Sequence, residues 1–317
     1  MSGTDRAMPA ARRSAYRVLR LAVWAIAVVP ASFFCLHAWW SHEAHFRAAK
    51  VSLERTLDLV HEHAVKVMET QALVVTQVER MLEGPDDGAI RADEERLHRR
   101  LSALEEALPQ VRGVWVLGAD GHPLLASSLW PAPHELDLSD REYFRVHRDD
   151  AGRGSFVSPV LLGRALDIAF FQVSTRRAGE AFAGVVGVSM LPRYFEEYYA
   201  RVVADGAFSV VLARPEGEIL ARHPATGRPL HEMPPMGNFR ARVAASPTAG
   251  SYTTVSALDG VERMIVFRRI PQYPIYVMIG LPIPRIRRDW ATDLATTLAV
   301  GLPATLALLA MALFALR

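Results

Sequence analysis

The hydrophobic pattern of the chain is dominated by two long apolar runs, one near each end. The first covers residues 19–40 and the second covers residues 291–316. At about 1.5 Å per residue, a helix of about 20 residues crosses the roughly 30 Å hydrocarbon core of a membrane. The pattern therefore predicts two transmembrane helices that bracket the less apolar residues 41–290.

The charges beside the first apolar run predict its orientation. Residues 1–18 contain one acidic residue, Asp5, and several arginines, at positions 6, 12, 13 and 17, with Arg20 following inside the run. Because basic residues stay in the cytoplasm, residues 1–18 are expected to be cytoplasmic and the central domain periplasmic. Val29-Pro30-Ala31 offers a signal-peptidase alternative, but the run continues to Trp39 and Trp40, which favours an uncleaved anchor in the bacterial inner membrane.

Residues 41–83 show the spacing of one long helix. Apolar residues recur there mostly at steps of three and four, at positions 46, 53, 57, 60, 64, 67, 74, 78 and 81. This stripe predicts a stalk helix that stops at Gly84-Pro85 and forms a homodimer through residues 41–83. A second helix is predicted over residues 89–108, and Pro109 ends it.

Beyond Pro109 the period changes from that of helices to that of strands. Strands are predicted over residues 111–117, 124–127, 154–161, 166–175 and 182–190, with a short helix over residues 140–148 and another starting at Pro192. The pattern then restarts, since residues 210–213 and 219–221 echo the first hairpin and residues 276–282 echo residues 185–192. This repetition predicts two tandem modules, residues 109–203 and 204–288.

Composition excludes several classes of function. The net charge of +2 gives no support for nucleic-acid binding, and the single cysteine, Cys35, excludes an intrachain disulfide. The pairs His42/His45 and His61/His63 lack the spacing of a helical zinc site, so no metal or other cofactor is predicted. Since no phosphate loop or nucleophile motif is present either, the chain is not expected to be an enzyme.

Three stretches carry a family resemblance: LSDREYFRVHR at residues 138–148, GSFVSP at residues 154–159 and AFAGVVGVSMLPRYF at residues 181–195. With the long helix and the tandem modules, they resemble the double Cache (PDC, extracytoplasmic PAS-like) sensor domains of bacterial transmembrane receptors, over about residues 41–290. The resemblance implies an α+β fold of two PAS-like antiparallel-sheet modules on a long N-terminal helix, flanked by two transmembrane helices. It also implies a ligand in the membrane-distal module and signal transmission through the proximal one.

Relatives such as sensor histidine kinases and diguanylate cyclases normally continue into a cytoplasmic output domain after the second span. The present sequence stops at Arg317. The output domain is therefore expected to be missing from this sequence or supplied by a separate cytoplasmic signalling partner.

The predicted helix over residues 140–148 concentrates residues suited to a small organic anion. Tyr143 and His147 are four residues apart and share a helix face, while Phe144 and Arg148 form the neighbouring stripe. Together with Arg141 they would supply an apolar wall and cationic donors, the combination that a carboxylate ligand needs. The alternative is that both aromatics pack in the core and the arginines are solvated.

The resemblance sharpens this ligand prediction. Amino-acid-sensing relatives combine an R-x-W-Y pattern, whose arginine takes the ligand carboxylate, with an aspartate that takes its ammonium group. Arg141, Tyr143 and Phe144 fit the first element, whereas Ser189 replaces the aspartate and Leu136 stands at the position of an upstream tyrosine. A carboxylate without an amino group is therefore the predicted ligand.

Further polar residues complete the set of candidates. Arg164 and Gln172, before and on a predicted strand, are additional donor candidates, and Ser139 with Glu142 has the spacing of a capping box. The sequence thus predicts a ligand-sensing input module of a two-span receptor. A membrane-anchored protein-interaction module without a small-molecule ligand remains the alternative, and an enzyme is a third reading.

Overall fold

The computed structural model describes residues 10–83, 86–179, 181–203 and 206–315. The predicted helix stop at Gly84-Pro85, the first residue of the predicted second module at position 204, and residues 1–9 and 316–317 lie outside the described residues. The chain divides into two compact units. One comprises residues 1–51 with 283–317, and the other comprises residues 52–282.

The first unit contains the two apolar segments as helices. Helix α1 runs from Ala10 to Met81 and helix α7 from Ile283 to Ala315, and both contain stretches long and apolar enough to cross a membrane. Within this unit, Trp290 Nε1 donates to the Ala38 carbonyl at 3.3 Å and Ser41 Oγ donates to Asp293 at 3.2 Å. These contacts hold α1 and α7 side by side.

The part of α1 in the second unit buries one face. Its buried side chains follow the three- and four-residue spacing seen in the sequence, at Leu53, Leu57, Val60, Ala64, Val67, Val74 and Val78. The predicted second helix is broken, since α2 covers Asp87–Ala92 and α3 covers Glu94–Glu106. The break lies at Asp93, whose φ of −110° and ψ of 21° are not helical and whose carboxylate pairs with Arg96.

The first module is built on an antiparallel sheet with the order β2-β1-β6-β5-β3, and β4 pairs with β5. Helices α4 and α5 belong to the same module. The bounds are β1 Val111–Leu117, β2 Pro123–Ala126, α4 Glu142–Asp149, β3 Phe156–Val157, β4 Leu161–Leu162, β5 Ala169–Arg176, β6 Val185–Met190 and α5 Pro192–Val202.

The second module repeats this topology with a five-stranded sheet in the order β8-β7-β11-β10-β9. Its elements are β7 Ser209–Ala213, β8 Ile219–His223, a short 3-10 helix Leu230–Glu232, α6 Phe239–Ala245, β9 Ala249–Val255, β10 Glu262–Arg269 and β11 Tyr276–Pro282. Each sheet places its last strand beside its first, so the predicted tandem repeat and α+β fold are confirmed.

The two faces of the first sheet are covered by different elements. Val114, Val116, Val186 and Val188 face a core cluster that contains residues of α1 and α3. The opposite face, which carries Trp115, lies under α4 and the loop between β4 and β5. Because β6 is buried along its whole length, its sequence is continuously apolar or small, as expected for a strand covered on both faces.

Candidate functional site

A cleft lies on the sheet face opposite α1 and α3 in the first module. It is bounded by strands β1, β5 and β6, by the start of α4, and by the loop at residues 163–168. The cavity volume within it is about 50 Å³. Small-molecule sites enclose about 300–1,000 Å³, so this cleft must widen to take a ligand.

Small residues open the floor of the cleft. Ser189 is paired across the ladder with both Gly113 and Gln172. Ser189 Oγ donates to Gln172 Oε1 at 2.7 Å, which directs the amide nitrogen of Gln172 over Gly187. A Cβ atom at Gly187 would lie 1.7 Å from that nitrogen, so only glycine leaves room for this amide orientation.

Guanidinium groups provide the charge of the cleft. Arg112, Arg141 and Arg164 line it, and no aspartate or glutamate belongs to its lining among the described residues. The remaining wall is largely apolar, with Trp115, Leu117, Leu136, Leu138, Leu166, Ile168 and Phe170. Arg112 and Arg164 pair with Glu105 and Asp140 outside this lining, whereas Arg141 forms no ion pair among the described residues. The charge of Arg141 beside apolar walls favours an anionic ligand.

Arg141 and Arg164 fasten the loop over the cleft in different ways. Arg141 Nη2 donates to the Leu162 carbonyl at 3.1 Å, while its Nε is buried without a partner. Both terminal nitrogens of Arg164 bind the Asp140 carboxylate, at 2.8 and 2.6 Å, and one also donates to the Asp137 carbonyl. Arg164 is therefore largely occupied by protein groups, and Arg141 retains the free donor.

Arg112 is a cleft residue that the sequence reasoning missed. The ladder between β1 and β6 shifts register between Val111 and Gly113, which takes Arg112 out of the simple alternation of the strand. Its guanidinium donates to Glu105 at 3.2 Å and also lines the cleft. A bulge of this kind gives no distinct signal in the hydrophobic pattern.

Tyr143 forms part of the cleft wall and Phe144 does not. Tyr143 is 4% exposed, and burial raises its pKa to about 12 despite the nearby arginines, so its phenol stays neutral. Phe144 is 1% exposed and packs in the cluster that contains Leu117 and Phe156. Successive helical residues differ by about 100° in direction, so only one of the two rings faces the cleft.

His147 and Arg148 also lie away from the cleft. The imidazole of His147 is fully buried, with Nε2 2.9 Å from Ser174 Oγ and Nδ1 without a partner. Burial lowers the pKa of His147 to about 4, so the ring is neutral near pH 7. Arg148 is solvent-exposed and pairs with its neighbour Asp149 at 2.9 Å.

The predicted site residues therefore separate into two groups. Arg141, Tyr143, Arg164, Gln172 and Ser189 lie together around the cleft. Phe144, His147 and Arg148 are not brought to it: the first two point into the core, and the third points to solvent. Binding by the first group stays a prediction.

The predicted capping box at Ser139 and Glu142 is wrong. The residue that caps α4 is Arg141, with no side-chain cap bond. The Asp137 carboxylate accepts the backbone N–H of Ser139 at 2.8 Å, which places Ser139 in a turn before the helix. Glu142 is thereby free to reach Arg214 of the second module, at 3.4 Å.

Comparison with known proteins identifies the type of domain. Residues 192–280 match the dCache_1-like family model, described as a histidine kinase sensor domain. No curated protein matches the chain. The extracellular domain of rpHK1S-Z16, named as a histidine kinase, is similar at 26% identity and a TM-score of 0.65. That similarity covers 76% of this chain and 97% of the other.

Two chemoreceptor domains share the fold at lower identity. The ligand-binding domain of Campylobacter jejuni Tlp3, in complex with L-valine, has 13% identity and a TM-score of 0.54, over 78% of this chain and 98% of its own. That of the Pseudomonas aeruginosa PAO1 amino acid chemoreceptor PctB, in complex with L-Arg, has 14% identity and a TM-score of 0.54, over 73% and 94%.

The resemblance predicted from the sequence is confirmed: residues 192–280 match the dCache_1-like sensor model, and the fold is that of receptor ligand-binding domains. Its relatives in structure are extracellular, ligand-binding domains of receptors. Here such a domain is flanked by two apolar helices, an arrangement consistent with a two-span inner-membrane protein.

Proposed function

We propose that this protein is the ligand-sensing input module of a two-span bacterial inner-membrane receptor, with a cytoplasmic N-terminus and a periplasmic sensor domain. The ligand is a small organic anion that carries a carboxylate, and it binds in the cleft of the first module. One observation carries this proposal. Arg141 lines a largely apolar cleft, forms no ion pair among the described residues, and has a buried Nε without a hydrogen-bond partner.

Each cleft residue has a distinct role in this proposal. The Arg141 guanidinium, with its unpartnered Nε, binds the carboxylate. The neutral Tyr143 phenol and the Gln172 amide supply further hydrogen bonds, and Trp115 and Phe170 exclude water from the apolar part of the ligand. Exclusion of water strengthens the charged hydrogen bond, because the local dielectric constant falls.

The absence of an acidic partner at Ser189 selects among carboxylates. The chemoreceptor domains of the same fold are found with L-valine and L-Arg, which each carry an ammonium group beside the carboxylate. In this cleft Ser189 bonds to Gln172, and no acidic residue among the described lining could neutralise an ammonium group. A carboxylate that lacks the amino group is therefore the better ligand.

A contact between the modules supports a route for the signal. Arg141 and Glu142 are neighbours at the start of α4, and Glu142 pairs with the buried Arg214 of the second module. The Arg214 guanidinium also lies 5.3 Å from the centre of the Phe156 ring. A ligand that moves α4 would shift this contact, provided that it binds the two conformations with unequal affinity.

A homodimer through residues 41–83 is part of the proposal, as is signal transfer to a cytoplasmic output domain or partner. Leu59 and Leu73 are 59% and 70% exposed on α1 and lie about four helical turns apart on nearly the same face. In a Cys35→Ser background, Leu59→Cys is expected to form a disulfide-linked dimer under mild oxidation. The exposed control Glu54→Cys should crosslink less, and equal crosslinking of both would contradict a dimer seam at Leu59.

The ligand proposal is tested with the full chain in lipid nanodiscs by titration calorimetry. Propionate and succinate are expected to bind, whereas the neutral analogue propionamide is not. Arg141→Gln should weaken carboxylate binding by about tenfold or more, because a charged hydrogen bond is lost, and Arg148→Gln serves as a surface control.

Two results would reject the proposal. One is binding of a neutral ligand with an affinity that Arg141→Gln leaves unchanged. The other is the absence of binding for every small molecule in a panel of organic acids, amino acids and polyamines. The second result would favour a membrane-anchored module that binds a protein partner.

A further inference from the structure

The second module contains a cavity of its own. Its volume is about 300 Å³, and it lies between the sheet face of Val211 and Ile265 and the segments at residues 234–239 and 252–258. Its position repeats that of the first cleft, because Val211 occupies in β7 the place that Trp115 occupies in β1. The same topology therefore leaves an opening on the corresponding face of both sheets.

Arg222 is the unusual residue of this cavity. It is paired with Val211 across the ladder, where the first module has Ala126 opposite Trp115. Arg222 is only 7% exposed, and its Nε is buried without a hydrogen-bond partner. In the part of the chain that the structure describes, its side chain forms no hydrogen bond or ion pair.

Other buried arginines of the protein are neutralised. Arg177 is 8% exposed and pairs with Asp87 at 2.9 Å. Arg214, as buried as Arg222, lies within 4 Å of carboxylates on Glu142, Glu216 and Glu218. A guanidinium cannot lose its proton in a protein, and an unpaired buried charge is strongly unfavourable. Arg222 therefore lacks a counterion that comparable arginines have.

The nearby Asp259 does not supply that counterion. Arg263 also lines the cavity, and both oxygens of Asp259 bind its guanidinium, at 2.7 and 2.6 Å. Burial, and to a smaller extent repulsion from Arg263, lowers the pKa of Arg222. Asp259 raises this pKa but only partly offsets the decrease. Because Asp259 neutralises Arg263, one positive charge remains in the cavity.

The rest of the lining suits an organic anion. Phe239 and Tyr252 provide aromatic walls, and burial raises the pKa of Tyr252 to about 12, so it adds no negative charge. Ser209, Thr254 and Asn238 contribute neutral polar groups. Apolar walls around one free cationic donor match a small carboxylate with a hydrophobic body.

We propose that the second module holds a second ligand site, in which Arg222 binds the carboxylate of a small aromatic or aliphatic acid. The apolar part of the acid packs between Phe239 and Tyr252. This site is separate from the cleft at Arg141 and does not depend on a ligand there.

The test uses the full chain in lipid nanodiscs with benzoate as the probe, since its ring fits the two aromatic walls. The Arg141→Gln variant removes the arginine proposed for the first cleft. Benzoate is expected to bind this variant, and the additional change Arg222→Met should weaken that binding by about tenfold or more. If Arg222→Met abolishes benzoate binding while Arg141→Gln leaves propionate binding unchanged, the first site is rejected and the second is kept.

A stability measurement separates ligand binding from a structural role. Arg222→Met should leave the thermal midpoint unchanged or raise it, because it removes an unpaired buried charge. The matched control Arg214→Met should lower the midpoint, because it leaves the carboxylates of Glu142, Glu216 and Glu218 without their buried arginine. The proposal is wrong if benzoate does not bind Arg141→Gln, if Arg222→Met leaves the affinity unchanged, or if Arg222→Met destabilises the protein as much as Arg214→Met.

Discussion

The two modules have the same strand order but different contents on the corresponding sheet face. In the first, α4 and the loop at residues 163–168 cover a cleft of about 50 Å³ whose arginines mostly bond to protein groups. In the second, the cavity is larger, about 300 Å³, and contains the unpaired Arg222 where the first module has Ala126. Topology thus decides where a site can form, and individual side chains decide what it can hold.

The cores also differ in kind. The first sheet packs aliphatic residues such as Val114 and Val188 against the long helix and α3. The second module relies on an aromatic cluster of Phe239, Phe267 and Tyr276, whose ring centres lie 5.5 to 6.0 Å apart. This contrast predicts that the modules respond separately to core substitutions and to acid.

The largest effect is expected from Phe239→Ala in the second module. Removal of a fully buried ring leaves a cavity and should lower the free energy of unfolding by about 3–5 kcal/mol. Urea unfolding gives the magnitude, and hydrogen exchange should show weaker protection in β7 and β11 than in β1 and β6. The half-exposed Trp130→Ala is the control, and equal loss of protection in both sheets would show that the modules unfold as one.

Acid should destabilise the first module through His147. Its pKa falls from 6.5 when unfolded to about 4 when buried, so the folded state binds fewer protons and stability declines as the pH falls from about 6.5 towards 4. The loss is on the order of 3 kcal/mol at the acid end. His147→Leu should make the thermal midpoint decline less with falling pH. Part of the decline should remain, because burial also lowers the pKa of His63 to about 4. An unchanged acid profile would contradict this assignment.

Ser189→Asp should move the first cleft towards the amino-acid-binding receptors. The new carboxylate would face the cleft and bind an ammonium group, so the affinity ratio of alanine to propionate should rise by about tenfold or more. Calorimetry with both ligands measures the ratio. Ser189→Asn keeps the size without the charge and should leave the ratio near its original value; a similar rise in both variants would exclude a charge effect.

The smallest effect is expected at Arg148. Its side chain is 46% exposed, and its ion pair with Asp149 lies at the surface, so Arg148→Ala should change stability by less than about 1 kcal/mol. Carboxylate affinity should also stay the same, because the residue lies outside the cleft. A clear loss of affinity in this variant would return Arg148 to the set of ligand-binding residues.

Elements with a strong local pattern were predictable from the sequence. Strand β1 at Val111–Leu117, strand β11 at Tyr276–Pro282 and the start of α5 at Pro192 coincide with their predictions. In contrast, strands β9 and β10 were missed. Residues of β9 alternate only between half-buried and exposed, so its sequence, AGSYTTV, lacks a clear apolar face.

Other differences arise from backbone chemistry. The predicted strand over residues 154–161 forms two short pieces, β3 and β4, separated by Pro159, which has no N–H to donate to a ladder. The predicted single helix over residues 89–108 breaks at Asp93. In both places a local feature ended an element whose apolar pattern continued.

The sequence alone predicted the apolar ends, the long helix and the tandem sheets, because periodicity and repetition are local properties. Residue types and the family resemblance added five residues that surround the first cleft. Only the tertiary structure decided which arginines of each site are paired with a carboxylate. Arg164 pairs with Asp140 and Arg214 pairs with Glu142, whereas Arg222 forms no ion pair among the described residues, and its Nε has no partner. These pairings join residues distant in the chain, and their electrostatic energies depend on distance and burial, which no local pattern encodes.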